Sequence, residues 1–371
     1  MQALHDAASQ SWPPFVLVAG LLLIGGVAHA ANLFERAGTI LGRLPGPPTA
    51  LLFACMLLVA GVTAVMNLDT AVVFLTPVLV IVARQRDVDE RPFLYAALFL
   101  ANASSLFLPG ANLTNLLVLG HGSIGGAAFA KEMFAPAVTA TLVTAIGVWA
   151  FLGPRRGRGS TAASATDADP SADATDRSPT PGVPPALQPG ARAATVGVIV
   201  AGALTVGLPE PALPVLATGL VAGAVACVLR TTTPRQLVAV VGPPVLGLLF
   251  ALSVALGVLA RTWDGPSTLL ADAGRWETVG IAAVASIALN NLPAATLLSA
   301  EPVVHARALL IGLNLGPNLA VTGSLSSYLW YRSAKQIGAA PSIATVSRLG
   351  IVLGPAAIVA ATLSLALGGS L

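Results

Sequence analysis

The chain contains long apolar segments that are almost free of charge. The segment from Thr49 to Ala83 contains one charged side chain, that of Asp69. As a single helix this segment would be about 50 Å long at 1.5 Å per residue, whereas the hydrocarbon core of a bilayer is about 30 Å thick. The chain must therefore turn back near residues 67–70, either as a re-entrant hairpin or as two tightly connected spans.

The overall composition points the same way. Hydrophobic residues make up 55% of the 371 residues and charged residues 9%, whereas soluble globular proteins carry about 25% charged residues. So few charged residues cannot cover the surface of a water-soluble fold of this size. The composition excludes a cytosolic enzyme, a nucleic-acid binder and a disordered scaffold. It predicts an all-α integral membrane protein with the lipid bilayer as its surroundings.

One segment has a different character. Residues 153–190 are rich in Pro, Ser, Thr, Ala and Asp and have little to bury, which is typical of a disordered linker. We therefore predict three parts: an N-terminal membrane repeat (1–152), a cytoplasmic linker (153–190), and a C-terminal membrane repeat with an extra helix pair (191–371).

The two membrane parts carry similar features in the same order. Each begins with a Pro-Pro pair (13–14 and 243–244) and continues with an Asn-Leu turn sequence. The stretch Asn102–Leu117 then aligns without gaps on Asn314–Leu329. Internal repeats are the usual plan of secondary transporters.

The positive-inside rule gives the two repeats opposite orientations. The basic residues predicted on the cytoplasmic side are Arg36, Arg43, Arg84, Arg86, Arg91, Arg155, Arg156, Arg158, Arg230, Arg235, Arg332 and Lys335. Following the chain between them predicts about eight through-spans and two hairpins. These include the spans 14–30 and 237–260, the broken spans 93–119 and 309–331, and the hairpins 48–83 and 278–303.

Polar residues interrupt both hairpins and both broken spans. Helix ends inside a bilayer leave backbone groups unpaired, and clustering these ends allows Asn, Ser, Thr, water and a substrate to satisfy them. The alternative is that these residues only cap broken helices. The predicted substrate- or ion-binding residues are Asn67, Asp69, Thr70, Asn112, Thr114, Asn115, Asn290, Asn291, Asn318, Thr322 and Ser324.

Asp69 is the most specific of these residues. A carboxylate at such depth is costly and is usually functional, so we predict that Asp69 carries a coupled proton. The alternative is that Asp69 caps the second arm of the first hairpin.

Motifs for enzymes and bound metals are absent from the sequence. There is no H-E-x-x-H, C-x-x-C, G-x-S-x-G or Walker A motif. The two cysteines, Cys55 and Cys227, lie in apolar runs and read as packing residues. We expect neither an enzyme nor a cofactor or metal site.

Four motifs resemble the bacterial arsenite/antimonite efflux permeases. They are N-L-D-T-A-V-V-F-L-T-P (67–77), P-G-A-N-L-T-N-L-L-V (109–118), N-N-L-P (290–293) and L-G-P-N-L-A-V-T-G-S-L-S-S-Y-L-W (315–330). Those permeases belong to the ion transporter superfamily, with the divalent-anion/sodium symporters and citrate carriers. The resemblance implies two inverted repeats, a dimerising scaffold, and a transport domain that moves like an elevator in the bacterial plasma membrane.

The resemblance also assigns residues by motif position. Asp69 matches the carboxylate at the first hairpin tip. The first unwound segment corresponds to Asn112, Thr114 and Asn115, and the polar positions of the second half correspond to Asn290, Asn291 and Ser324. Sodium-coupled relatives carry Ser-Asn-Thr at each tip, where this chain has Leu68 and Leu292-Pro293, so sodium sites are not expected. A helix pair that precedes the first unit in the family is also missing, which predicts a smaller scaffold.

Together these observations predict a secondary transporter that exports arsenite or antimonite in exchange for protons. The substrate is expected to be a small oxyanion or a neutral metalloid species, and the protein is expected to form a homodimer. A carboxylate or inorganic-anion carrier of the same superfamily is the alternative within transport. A channel, or a membrane interaction protein that transports nothing, is the alternative outside it.

Overall fold

The computed structural model describes residues 1–120, 126–153 and 185–368, and within these ranges the fold is built from helices and turns, which confirms the all-α expectation. The N-terminal part contains α1 (Gln2–Ala30), α2 (Leu33–Arg43), α3 (Pro48–Val65), α4 (Leu68–Gln85), α5 (Arg91–Ser104), α6 (Leu113–Leu119) and α7 (Gly126–Leu152). The C-terminal part contains α8 (Ala191–Gly207), α9 (Ala212–Val228), α10 (Pro234–Val241), α11 (Pro243–Thr262), α12 (Gly265–Ala271), α13 (Arg275–Leu289), α14 (Asn291–Leu298), α15 (Ala306–Leu315), α16 (Leu325–Gln336) and α17 (Ile343–Gly368).

Several helices are suited to a bilayer. Among the described residues, six helical stretches are long and apolar enough to cross it: α1, α3, α4, α7, the stretch formed by α10 and α11, and α17. The apolar helices α8 and α9 have 17 residues each. The chain is therefore a multi-pass membrane protein.

Two helical hairpins turn at asparagine residues. The pair α3 and α4 turns at Met66 and Asn67, and each arm has 18 residues, or about 27 Å of helix. The pair α13 and α14 turns at Asn290, and α14 has only eight residues, or about 12 Å. The second hairpin therefore has an arm that is too short to cross a bilayer.

Two further elements are broken where Pro and Gly occur. A 3₁₀ turn at Pro109–Ala111 separates α5 from α6. The corresponding break between α15 and α16 contains two 3₁₀ turns, Gly316–Asn318 and Val321–Gly323. Proline lacks the N–H that a continuous helix would need, so each element ends and restarts within the apolar sequence.

The long helices form two packed groups. In the first helix group, α1 packs against α8, α9, α10 and α11. In the second helix group, α3–α7 pack with α13–α17, and the contacts are reciprocal: α4 lies against α16, and α6 lies against α14. Glycine permits the tightest contact of the first group, since a Cβ atom on Gly219 would lie 2.7 Å from the carbonyl oxygen of Gly20.

Two expected span boundaries differ from the structure. The first span was expected to begin at residue 14, but α1 begins at Gln2 and contains Pro13 and Pro14. Its first turns are held by protein contacts, since Ala7 and Ser11 are buried. The span expected at 237–260 is divided at Gly242, whose φ of 60° is a left-handed conformation that favours glycine.

Most of the predicted linker, residues 154–184, lies outside the described residues. Its final residues are placed against the N-terminal part. The Asn32 Nδ2 donates to Ala186 O at 3.2 Å, and the backbone N–H of Gln188 donates to Ala31 O at 3.5 Å. The end of the linker therefore contacts the loop that joins α1 to α2.

Candidate functional site

The first hairpin tip is capped by Asn67. Its side-chain oxygen accepts hydrogen bonds from the backbone N–H groups of Asp69 (2.6 Å) and Thr70 (3.2 Å). This is the standard N-cap arrangement, in which a side-chain oxygen satisfies the unpaired N–H groups of a first helical turn. The interpretation of Asp69 as the cap of this arm is therefore wrong, because Asn67 performs that role.

The Asp69 carboxylate instead joins the two halves of the chain. Its Oδ1 accepts a hydrogen bond of 2.6 Å from the hydroxyl of Ser326, in the first turn of α16. Ser326 is buried and Asp69 is partly buried. Ser326 was not among the predicted residues, although the repeat alignment places it opposite Thr114, which was.

Three buried polar atoms of the first hairpin lack a partner in the described structure. They are the Thr63 hydroxyl, the Asn67 amide nitrogen and the Thr70 hydroxyl. A buried polar group without a hydrogen bond costs about 1–3 kcal/mol, so such atoms mark a place where water or a solute can bind. We call Asn67, Asp69, Thr70 and Ser326 the hairpin-tip cluster.

A second set of buried polar side chains lies between the two broken elements. Asn314 is at its centre: its Oδ1 accepts from Ser105 Oγ (2.6 Å) and Asn112 Nδ2 (2.7 Å), and its Nδ2 donates to Asn115 Oδ1 (2.7 Å). Asn314 and Asn115 are fully buried. The two broken elements are therefore joined by direct hydrogen bonds between side chains.

The same network extends towards α5 and the second break. Asn102 Nδ2 donates to Asn318 Oδ1 at 2.8 Å, and Asn318 Nδ2 donates to Phe99 O at 3.3 Å. We call Asn102, Ser105, Asn112, Asn115, Asn314 and Asn318 the asparagine network. Three predicted ligands, Asn112, Asn115 and Asn318, thus have side chains that bond within the protein.

The remaining predicted residues surround the second hairpin tip. Asn290 has a φ of 81°. It accepts from the N–H of Leu292 (3.4 Å) and donates to Thr322 O (3.3 Å). The Thr322 side chain is exposed and donates to Ile287 O at 3.2 Å. Asn291 is buried at the start of α14.

Two buried hydroxyl residues stand at the starts of α6 and α16. Ser324 lies 3.4 Å from Ser327, oxygen to oxygen, and the Thr114 hydroxyl is buried without a partner in the described structure. The predicted residues therefore form three neighbourhoods: the hairpin-tip cluster, the asparagine network, and the second tip with Thr322.

These three neighbourhoods contain polar but almost no charged side chains. Four helices, α4, α6, α14 and α16, begin there, and helix N-termini favour negative charge or electron-rich oxygen atoms. No Lys or Arg occurs in 60–75, 102–119, 283–299 or 310–327, and Asp69 is the one carboxylate in these ranges. Among the described residues there is no group of three or more His, Cys, Asp or Glu that could hold a metal ion. The site offers amides, hydroxyls and one carboxylate.

Two comparisons with known proteins bear on this arrangement. The crystal structure of the Alcanivorax borkumensis YdaH transporter is similar over 99% of this chain and 87% of that chain, with a TM-score of 0.60 and 15% sequence identity. At that identity the similarity shows a shared fold. The sequence pattern of the family described as "Citrate transporter" matches residues 7–322. Since the match covers most of the chain, including both hairpins, the chain belongs to the citrate transporter family.

Proposed function

We propose that this protein is a proton-coupled secondary transporter of a bacterial plasma membrane, and that Asp69 carries the proton. The supporting observation is the hairpin-tip cluster, where a single carboxylate bonds Ser326 across the two halves. The hairpin that carries this carboxylate also holds three buried polar atoms that lack a partner in the described structure. Protonation would weaken that carboxylate as an acceptor, and so would change how the first hairpin is held against α16.

The proposed movement is of the elevator type. The second helix group carries all three neighbourhoods of polar residues and moves as a unit against the first helix group, which forms a homodimer. The reciprocal contacts of α4 with α16 and of α6 with α14 support an inverted-repeat relation between the two halves. The asparagine network supports movement of the two broken elements together, since it joins them directly.

The substrate is proposed to be a small neutral hydroxylated species, such as arsenite or antimonite. A free tricarboxylate would bring several negative charges next to Asp69 with no Lys or Arg in the surrounding ranges. Burying charge without a partner is very costly, whereas amides and hydroxyls can bind a neutral hydroxylated solute.

A carboxylate carrier is the second candidate, and the family match favours it. For a carboxylate, the missing cationic side chains would have to be replaced by a cation or protons that enter with the solute. This requirement separates the two candidates experimentally.

The test is transport by the purified protein in proteoliposomes, with arsenite and citrate as probes and an imposed pH gradient. We expect arsenite to accumulate against its gradient when the pH gradient is present, and citrate to move little without an added divalent cation. Accumulation of free citrate would show that the protein is a carboxylate carrier and would contradict the neutral hydroxylated substrate. Single-channel currents, or no movement of either probe, would contradict the proposal.

The inverted arrangement predicts the sides of two loops. A cysteine placed at Arg86, beyond the end of α4, is expected to react with an impermeant thiol reagent only from the cytoplasm. A cysteine at Asp264, beyond the end of α11, is expected to react only from outside. Labelling of both positions from the same side would contradict the inverted relation.

A further inference from the structure

The two helix groups meet in a seam that contains polar contacts. On one side of the seam lie α1 and α11 of the first group, and on the other lie α6 and α14 of the second group. In this seam, Ser253 of α11 lies 3.3 Å from Thr296 of α14, oxygen to oxygen. An elevator movement would have to break every contact of this kind.

Gln10 makes the most connected contact of the seam. Its side-chain amide donates to two carbonyl oxygens of the second group, Leu117 O at 3.2 Å and Ser299 O at 2.9 Å. These carbonyls belong to the last turn of α6 and to the residue after α14. Leu117 O also accepts from the backbone N–H of Gly120 at 3.3 Å. One amide thus bonds a carbonyl at the end of each of the two reciprocal elements.

Arg261 holds Gln10 in this position. Its Nη2 donates to Gln10 Oε1 at 2.6 Å, and its Nη1 donates to Gly257 O at 2.9 Å. The guanidinium therefore fixes which end of the Gln10 amide is the acceptor, and turns the NH₂ group towards the two carbonyls. Gln10 comes from α1 and Arg261 from α11, so both donors belong to the first helix group.

The C-terminal ends of α4 and α16 are joined by a hydrogen bond of a different kind from the Gln10 contact. Arg84 of α4 donates to Ile337 O, just beyond α16, at 2.8 Å. That bond lies inside the second helix group and would be carried along by its movement. The Gln10 contact instead joins the two groups. A polar cavity of about 390 Å³ lies beside it, lined by Asp6, Ser9, Gly120 and Glu301 among others, so water can reach the atoms when the contact opens.

We propose that Gln10 and Arg261 form a latch that holds the ends of α6 and α14 against the first helix group and sets the rate of the transport movement. The latch is a positioning device, because its atoms lie at the ends of α6 and α14 opposite to those that begin at Asn112 and Asn290. The idea rests on the proposed elevator movement for its effect on transport, but its local effect can be measured without any substrate.

The test is hydrogen–deuterium exchange of the full-length protein in lipid nanodiscs. Gln10→Glu keeps an acceptor for Arg261 and removes both donations to the carbonyls. We expect exchange at 113–119 and 291–299 to rise at least about tenfold, since two ordinary hydrogen bonds are lost, while α7 and α17 stay unchanged. Arg261→Met removes the anchor from another helix and should give the same local pattern, and Arg261→Lys should restore much of the protection.

Ser9→Ala is the matched control, because the Ser9 hydroxyl bonds only Asp6 O within its own helix turn. In transport assays with arsenite, the latch variants should change the maximal rate and leave KM unchanged, because no substrate contact is lost. Unchanged exchange in Gln10→Glu, or an increase spread over all helices, would overturn the latch. A local increase in a protein that moves no probe would support the latch and contradict the proposed function.

Discussion

Asp69→Asn is expected to abolish proton-driven accumulation of substrate while the protein still reaches the membrane in normal amounts. The cap of α4 is supplied by Asn67, so the first hairpin does not need the carboxylate to form. An asparagine at position 69 can still accept the hydrogen bond from Ser326, but it cannot gain or lose a proton. Accumulation against a gradient in proteoliposomes should fall to background, whereas exchange of substrate down its own gradient should persist.

Ser326→Ala is the matched control for this variant. It removes the hydrogen bond to the Asp69 carboxylate and leaves the titratable group in place, at a cost of about 1.5–3 kcal/mol. We therefore expect Ser326→Ala to accumulate substrate at a reduced rate and with its pH dependence preserved. An Asp69→Asn protein that accumulates substrate with the pH dependence of the wild type would show that the proton is carried elsewhere.

The sequence predicts the fold well where length and hydrophobicity decide it. The apolar run from Thr49 to Ala83 is too long for one span, and the chain turns at Met66 and Asn67. Pro109 and Pro317 likewise mark breaks that are present in the structure. These features depend on local chemistry: helix length, the missing N–H of proline, and the capping preference of asparagine.

The start of α1 could not be predicted in the same way. Residues 2–12 are polar enough to read as a tail, and the Pro-Pro pair reads as a helix start. The helix nevertheless begins at Gln2, and its first turns are packed within the protein: Gln10 bonds two carbonyl oxygens of other segments, and Ser11 is buried. Contacts between distant residues, Gln10 with Ser299 and Arg261, leave no trace in a local pattern.

The candidate site was likewise predictable only in part. The sequence identifies Asn112, Asn115 and Asn318 as buried polar residues, but not what they bind. In the structure Asn112 and Asn115 bond Asn314, and Asn318 bonds Asn102, so these side chains form hydrogen bonds within the protein. The repeat alignment contained a signal for the missing partners, because Asn102 and Asn314 begin the two aligned segments and are therefore equivalent.

Asn314→Leu is expected to be the most destabilising single substitution in this set. Asn314 is fully buried, and its removal leaves Asn112 and Asn115 each without one hydrogen-bond partner, whereas Ser105 can still donate to Asn102 O. A buried group left unsatisfied costs about 1–3 kcal/mol, so the total loss should be about 2 kcal/mol or more. The measurement is thermal unfolding in detergent together with the amount of protein in the membrane.

Thr362→Val separates the loss of this network from the loss of any buried polar group. Thr362 is also fully buried, but its hydroxyl bonds only Ile358 O in its own helix, so we expect a loss of less than about 1 kcal/mol. If Asn314→Leu unfolds no more readily than Thr362→Val, the asparagine network does not hold the broken elements together. The proposal that the two broken elements move as one unit would then lose its main support. Asn112, Asn115 and Asn318 would again be candidates for substrate ligands.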